Sequence, residues 1–226
     1  MRKILLGCMI CMLLSLPGAH SQGTGRYRMK TTVGALAGGD FNNMTGKDFV
    51  GNRLENSARP GYHFGVNVQL PLFSDIYLQP GLSFSTKGAR ENTPDEGRVR
   101  LSYLEFPLHA VYKNRFPEGF FYFGAGPYVA YAMKGLILTE SGGNDQKTEI
   151  RFKNVVEPGD QVVAPYLRQL DAGAGAIIGY EWHSGPFLQL GIQFGIMKIN
   201  PEYTMLPDDD RELRNAGAGL TLGFRL

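Results

Sequence analysis

The stretch "GYHFGVNVQLPLFSD", Gly61 to Asp75, limits the possible folds more than any other feature of the chain. Tyr62, Phe64, Val66, Val68 and Leu70 alternate there with His63, Gly65, Asn67 and Gln69. A period of two belongs to a β-strand with unlike faces. The same parity returns elsewhere. Leu104, Phe106, Leu108, Ala110 and Tyr112 alternate with Tyr103, Glu105, Pro107, His109 and Val111. Leu188, Leu190, Ile192 and Phe194 alternate with Gln189, Gly191 and Gln193, and Leu220 and Leu222 with Thr221 and Gly223. A soluble sheet turns a face rich in Lys, Glu and Thr to water. Here the face opposite the apolar one is mostly glycine, with a few Gln, Asn and charged residues. Small residues suit a narrow lumen, and large apolar ones suit hydrocarbon. The parity therefore predicts an inside-out sheet, apolar outward and polar inward.

Eight segments carry this pattern: Met29–Gly38, the opening stretch, Ile76–Lys87, Val99–Lys113, Phe120–Met133, Leu167–Trp182, Phe187–Ile199 and Asn215–Leu226. The connections between them alternate in length. Short turns follow the second, fourth and sixth segments. Long polar loops, roughly 39–59, 88–98, 134–166 and 200–214, follow the others. Long helical patterns are absent, and 30 glycines are poor helix material. Together these features predict an all-β fold: an eight-stranded antiparallel transmembrane β-barrel with short periplasmic turns and long extracellular loops. Phe64, Val66, Val68, Leu104, Phe106, Leu108, Leu190, Ile192, Phe194, Leu220 and Leu222 are expected to face lipid. Phe73, Tyr112, Phe121, Trp182 and Phe187 cluster beside the short turns and are expected to form the periplasmic aromatic girdle. Pro80, Pro107 and Pro127 fall inside strands, where bulges are expected to absorb them.

The first 21 residues read as a cleaved export signal. Arg2 and Lys3 precede the apolar run Ile4–Leu16, and Ala19-His20-Ser21 offers a small-residue cleavage site. The barrel domain is then 22–226. Both cysteines, Cys8 and Cys11, fall in the signal, so disulfides are not expected in the mature domain. Removing Arg2 and Lys3 leaves 21 basic against 21 acidic residues, a neutral balance that does not point to nucleic acid.

Several segments bear a family likeness. "YLQPGLSFSTKG" from Tyr77, "YLEFPLHAVYK" from Tyr103 and "FGAGPYVAY" from Phe123 resemble successive strands of the PorT-like outer-membrane β-barrel family of Bacteroidetes. "KTTVGALAGGDFNNMTG" from Lys30 resembles that family's first strand and loop, and the terminal "GLTLGFRL" its closing strand. The resemblance implies a barrel exported to the outer membrane of a Gram-negative bacterium. The family is named for a member implicated in secretion, while most members have no assigned function, so the secretion role stands as the alternative. One departure is Leu226, where such barrels often end in an aromatic residue read by the insertion machinery.

The lumen is expected to hold His63, Lys87, Arg100, Glu105, His109, Asp171, Glu181 and Arg225 as a network of ion pairs and hydrogen bonds, since buried charges need partners. Glu105 and His109 stand about 13 Å apart along one strand, too far for a direct acid–base pair. A lipid A-modifying enzyme would need a Ser/His/acid set, for which His63 with Ser85 or Ser102 is the candidate. "PDDDRE", Pro207 to Glu212, lacks the spacing of a calcium loop. The expectation is a non-enzymatic barrel without cofactor or metal. Its expected partners are outer-membrane lipid, the insertion machinery and a protein or ligand at loop 134–166, with a structural or interaction-platform role. A secretion accessory factor is the alternative.

Overall fold

The computed structural model describes residues 30–47, 51–54, 56–91, 97–141, 144–160, 165–205 and 211–226. The expected signal and most of "PDDDRE" lie outside these residues. The strands are β1 (Thr32–Lys47), β2 (Asn56–Phe73), β3 (Ile76–Glu91), β4 (Arg98–Phe116), β5 (Gly119–Ser141), β6 (Asn144–Glu149), β7 (Arg151–Phe152), β8 (Val155–Val156), β9 (Tyr166–Leu167), β10 (Leu170–Trp182), β11 (Pro186–Gly195), β12 (Glu202–Tyr203) and β13 (Glu212–Arg225).

Strands β1, β2, β3, β4, β5, β10, β11 and β13 pair in that order, and β13 returns to β1, so eight antiparallel strands close a barrel. Gly34 opposite Arg225 and Lys47 opposite Glu212 mark the ends of the closing seam. Phe106, Leu108, Val129, Leu190, Ile192, Phe194, Leu220 and Leu222 are exposed on strands all round the wall. A soluble monomer rarely shows water a continuous apolar surface of this extent.

Strand ends differ from expectation. β1 runs on through "DFNNMTGK" and β2 begins at Asn56, so the expected loop 39–59 is mostly strand. β5 spans 23 residues, roughly twice what a tilted strand needs to cross a bilayer. Its last six residues, Leu136–Ser141, pair with β6, and together they form a hairpin within the expected loop 134–166. Polar residues extend these strands because backbone pairing continues where no hydrocarbon demands apolar side chains.

The prolines are not absorbed by bulges. Pro80 stands opposite Leu108, Pro107 opposite Tyr128 and Pro127 opposite Ala174, which puts all three within two neighbouring rungs. Pairing lapses between Pro80 and Ser83 and between Pro107 and Ala110, then resumes in the same register. The register shifts lie elsewhere, between Ala58 and His63, between Pro71 and Phe73, and between Ser102 and Tyr103.

Inward glycines make room for long inward side chains. A Cβ on Gly34 would meet Asn67 Oδ1 at 2.8 Å, one on Gly175 would meet His109 Nε2 at 3.3 Å, and one on Gly179 would meet the Tyr122 ring at 2.6 Å. Gly179→Val is therefore expected to prevent the barrel from reaching its heat-modifiable form on gels. Ile178→Val, one residue away on the outward face, should leave that form intact.

Candidate functional site

From the loop end to the turn end, the interior is filled in layers. The outermost is apolar. Ile150 enters the mouth on a bond from its N–H to the Gly135 carbonyl (2.9 Å), and Ile199 on one to the Leu213 carbonyl (2.8 Å). Both pack with Met44, Leu101 and Leu167 in a buried cluster that closes the mouth. Asn200 ties this segment to β13, donating to the Arg211 carbonyl (3.0 Å) and accepting from the Leu213 N–H (3.0 Å).

Below lies the first charged layer. Lys87 Nζ stands 2.8 Å from Glu105 Oε1 and 3.6 Å from Asp171 Oδ2. Glu105 also accepts from Ser85 (2.5 Å) and Gln193 (3.2 Å). Asp171 has no solvent exposure and accepts from Asn215 (2.9 Å) and the Tyr128 hydroxyl (3.4 Å). The Lys87 ammonium lies 4.4 Å from the Tyr128 ring centre and 5.5 Å from that of Tyr103. The cation thus meets carboxylates and aromatic faces at once, which is what keeping a charge out of water requires.

A second charged layer sits near the short turns. Glu181 Oε2 accepts from Lys113 (2.7 Å) and from Arg225 Nε (2.8 Å), and Arg225 Nη1 donates to Asn67 (2.9 Å). Gln69 donates to Gln79 (2.7 Å), and the Tyr122 hydroxyl donates to Gln189 (3.2 Å). Between the layers is a cavity of about 110 Å³ lined by His63, Asp40, His109, Gln79, Gln189 and Gln193 among others. His63 Nδ1 meets the Asp40 carboxylate (2.8 Å) and Nε2 the Thr221 hydroxyl (2.9 Å), so three strands meet at one imidazole.

The structure brings His63, Lys87, Glu105, His109, Asp171, Glu181 and Arg225 to the interior. Two expectations are corrected. Arg100 is not in the lumen. It shares outward parity with Leu104 and Phe106, and its guanidinium donates to the exposed Tyr62 hydroxyl (3.4 Å). Phe187 is not in an outward girdle. It shares parity with Gln189, is 1% exposed, and carries the Arg225 guanidinium 5.0 Å above its ring. Phe73, Tyr112, Phe121 and Trp182 do point outward at the turn end. Phe64, Val66, Phe106, Leu108, Leu190, Ile192, Phe194, Leu220 and Leu222 are exposed on the outer wall, with Val68 and Leu104 partly covered beside them.

Asn67 and Thr221 lie in the interior on the inward parity read above, and Lys113, Asp40 and Asn215, which that reading does not name, join them there. Inward parity marks Lys113, Asn67 and Thr221, whereas Asp40 was hidden in a stretch that reads as loop. Ser85 and Ser102 do not join His63: Ser85 serves Glu105, and Ser102 shares the outward parity of Leu104. The Asp40–His63–Thr221 chain has the atom order of an acyl-transfer triad. The Gly38 and Gly39 backbone beside it, however, is paired to Thr221 and Leu220 across the closing seam, in the position where an oxyanion hole would need spare donors.

Above the barrel, the segments after β5 and β11 are tied together. β7 pairs with β9, and β8 with β12. Arg168 bridges to Glu202 (2.8 Å) and Lys153 to Asp160 (2.6 Å). The Lys153 hydrogen bonds hold the Asp160 carboxyl below its usual range.

Removing one partner of a buried pair strands the other charge. Lys87→Met is expected to cost about 3–5 kcal/mol in urea unfolding from vesicles. Adding Glu105→Gln to it should recover part of that loss.

The family described as "Outer membrane protein beta-barrel domain" matches residues 20–201. No curated protein matches the chain. Among solved structures, the chain is similar to Ail, the attachment invasion locus protein of Yersinia pestis, solved with the heparin analogue sucrose octasulfate. The two are 12% identical over 88% of this chain and 100% of that one, with a TM-score of 0.45. Neisserial surface protein A gives 12% identity over 86% and 96%, with a TM-score of 0.41. The N-terminal β-barrel domain of Pseudomonas aeruginosa OprF gives 16% over 86% and 97%, with a TM-score of 0.35. With eight strands closing its wall and most of its length matched, the chain belongs to the outer membrane protein beta-barrel domain family.

Proposed function

We propose that the protein is a closed outer-membrane barrel serving as a surface platform, with its short turns in the periplasm and its tied loop assembly outside. The observation that carries this reading is the filled interior. Two charged layers and an apolar stopper occupy the lumen, while the loop segments beyond it are ordered and cross-linked. Outward apolar residues then meet lipid, and Phe73, Tyr112, Phe121 and Trp182 sit at the inner interface. The structured part of 134–166 is the surface offered to a protein or ligand.

A PorT-like role in secretion is the second reading, and it rests on the strand resemblances "YLQPGLSFSTKG" and "YLEFPLHAVYK". Lipid A chemistry is disfavoured, because His63 lies between Asp40 and Thr221 without spare backbone donors.

Planar bilayers containing the protein should show a flat current trace, and stable nanosiemens steps would overturn the closed-barrel reading. Lys153→Cys should react with a membrane-impermeant maleimide on intact cells. Labelling only after lysis would reverse the orientation. In a deletion strain the platform reading expects an unchanged surface proteome. Loss of other surface proteins would instead support secretion, and a shifted lipid A mass would support an enzyme.

A further inference from the structure

We propose that Arg100 and Lys134, on the outward face of β4 and β5 just beyond the apolar wall, bind the phosphorylated headgroup of an outer-leaflet glycolipid. This rests on the orientation proposed above.

The register builds the patch. Ser102 stands opposite Lys134, and Arg100 stands opposite Gly88 on one side and Leu136 on the other. Arg100 and Lys134 are therefore diagonal neighbours on one face, within reach of a single anion. One rung further out, Arg98 faces Arg90, and Arg59 lies within electrostatic reach of Arg98 and Arg100. Like charges on neighbouring strands repel, so gathering them costs stability unless an anion joins them. Arg90 and Arg98 make other contacts. Arg100 meets the Tyr62 hydroxyl, and neither it nor Lys134 has a carboxylate partner among the described residues.

The position selects a lipid over a soluble anion. Below the two cations the outward face continues, past Ser102 and Leu104 on β4 and as Met133 and Tyr131 on β5, to Phe106 and Val129, with Phe106, Val129, Tyr131 and Met133 all exposed. Tyr62 stands over the stacked rings of Phe64 and Phe84, which are 5.3 Å apart, and holds its hydroxyl at the level of Arg100. A ligand with phosphate above and acyl chains below meets both surfaces at once. The guanidinium offers a planar fork that matches phosphate oxygens, and the ammonium adds a second point charge.

The test uses the full chain in phosphatidylcholine nanodiscs, with lipid binding counted by native mass spectrometry. Wild-type protein should bind bisphosphorylated lipid A roughly tenfold more tightly than the same lipid dephosphorylated, as expected for two cations at a membrane surface. Arg100→Gln with Lys134→Gln should abolish that preference and keep heat-modifiable mobility. No preference in the wild type, or an unchanged preference in the variant, overturns the proposal. Equal binding of the deacylated bisphosphorylated disaccharide also overturns it, because the site would then take a soluble anion. Nanodiscs expose both rims, so this result is independent of orientation. Labelling of Lys153→Cys on cells tests orientation by itself.

Discussion

Hydrocarbon offers no hydrogen-bond partner, so a wall in lipid must satisfy its backbone internally. The seam between β1 and β13 is where this chain meets that demand. Once the sheet closes, it has no free edge within the wall, and its diameter is set by eight strands. Everything inside must then fit a narrow tube. That is why the inward face alternates glycine with long polar side chains. Gly34, Gly175, Gly179 and Gly223 leave the space that Asn67, His109, Tyr122 and Phe187 occupy from other strands.

The long side chains in turn create an electrostatic demand. Lys87, Lys113 and Arg225 are held out of water by Glu105, Asp171 and Glu181, with tyrosine and phenylalanine rings beneath the cations. Beyond the consecutive strands β3 and β4, the pairs join strands distant in sequence, β3 with β10 through Asp171, and β13 with β10 and β4 through Glu181. A shifted strand register would separate them, so the network reports on correct closure as well as filling the tube. The mouth is treated differently. There Ile150 and Ile199 replace charge with apolar packing, and the described loop segments above are joined by short pairings, β7 with β9 and β8 with β12.

Parity made much of this visible before any coordinates. The outward apolar residues and seven of the eight named lumen residues follow from alternation, and the barrel class from alternation together with the short-turn, long-loop rhythm of eight segments. Among the named site residues, the two misplaced ones lie near strand ends, where charge and ring chemistry outweigh parity in the reading. Arg100 was grouped with the lumen for its charge, and Phe187 with the girdle for its ring and its place beside a turn. Asp40, the partner of His63, escaped for another reason. Alternation is a sign of unlike surroundings on the two faces of a strand. Where a strand leaves the bilayer both faces can be polar, so "DFNNMTGK" looks like loop although its backbone pairs through to Lys47. Which lumen charges pair was never legible, because it depends on register between strands far apart in the chain.

The three prolines have a further consequence. An interrupted rung in lipid normally leaves a bare N–H, and that penalty is what makes gaps in a membrane wall rare. Proline has no N–H to leave bare. Grouped on β3, β4 and β5, Pro80, Pro107 and Pro127 remove donors where pairing lapses. The lapse therefore spares the cost of stranded donors at those positions. The wall between β3 and β5 is therefore laced more loosely at this level than above or below, without a stranded N–H at the prolines themselves.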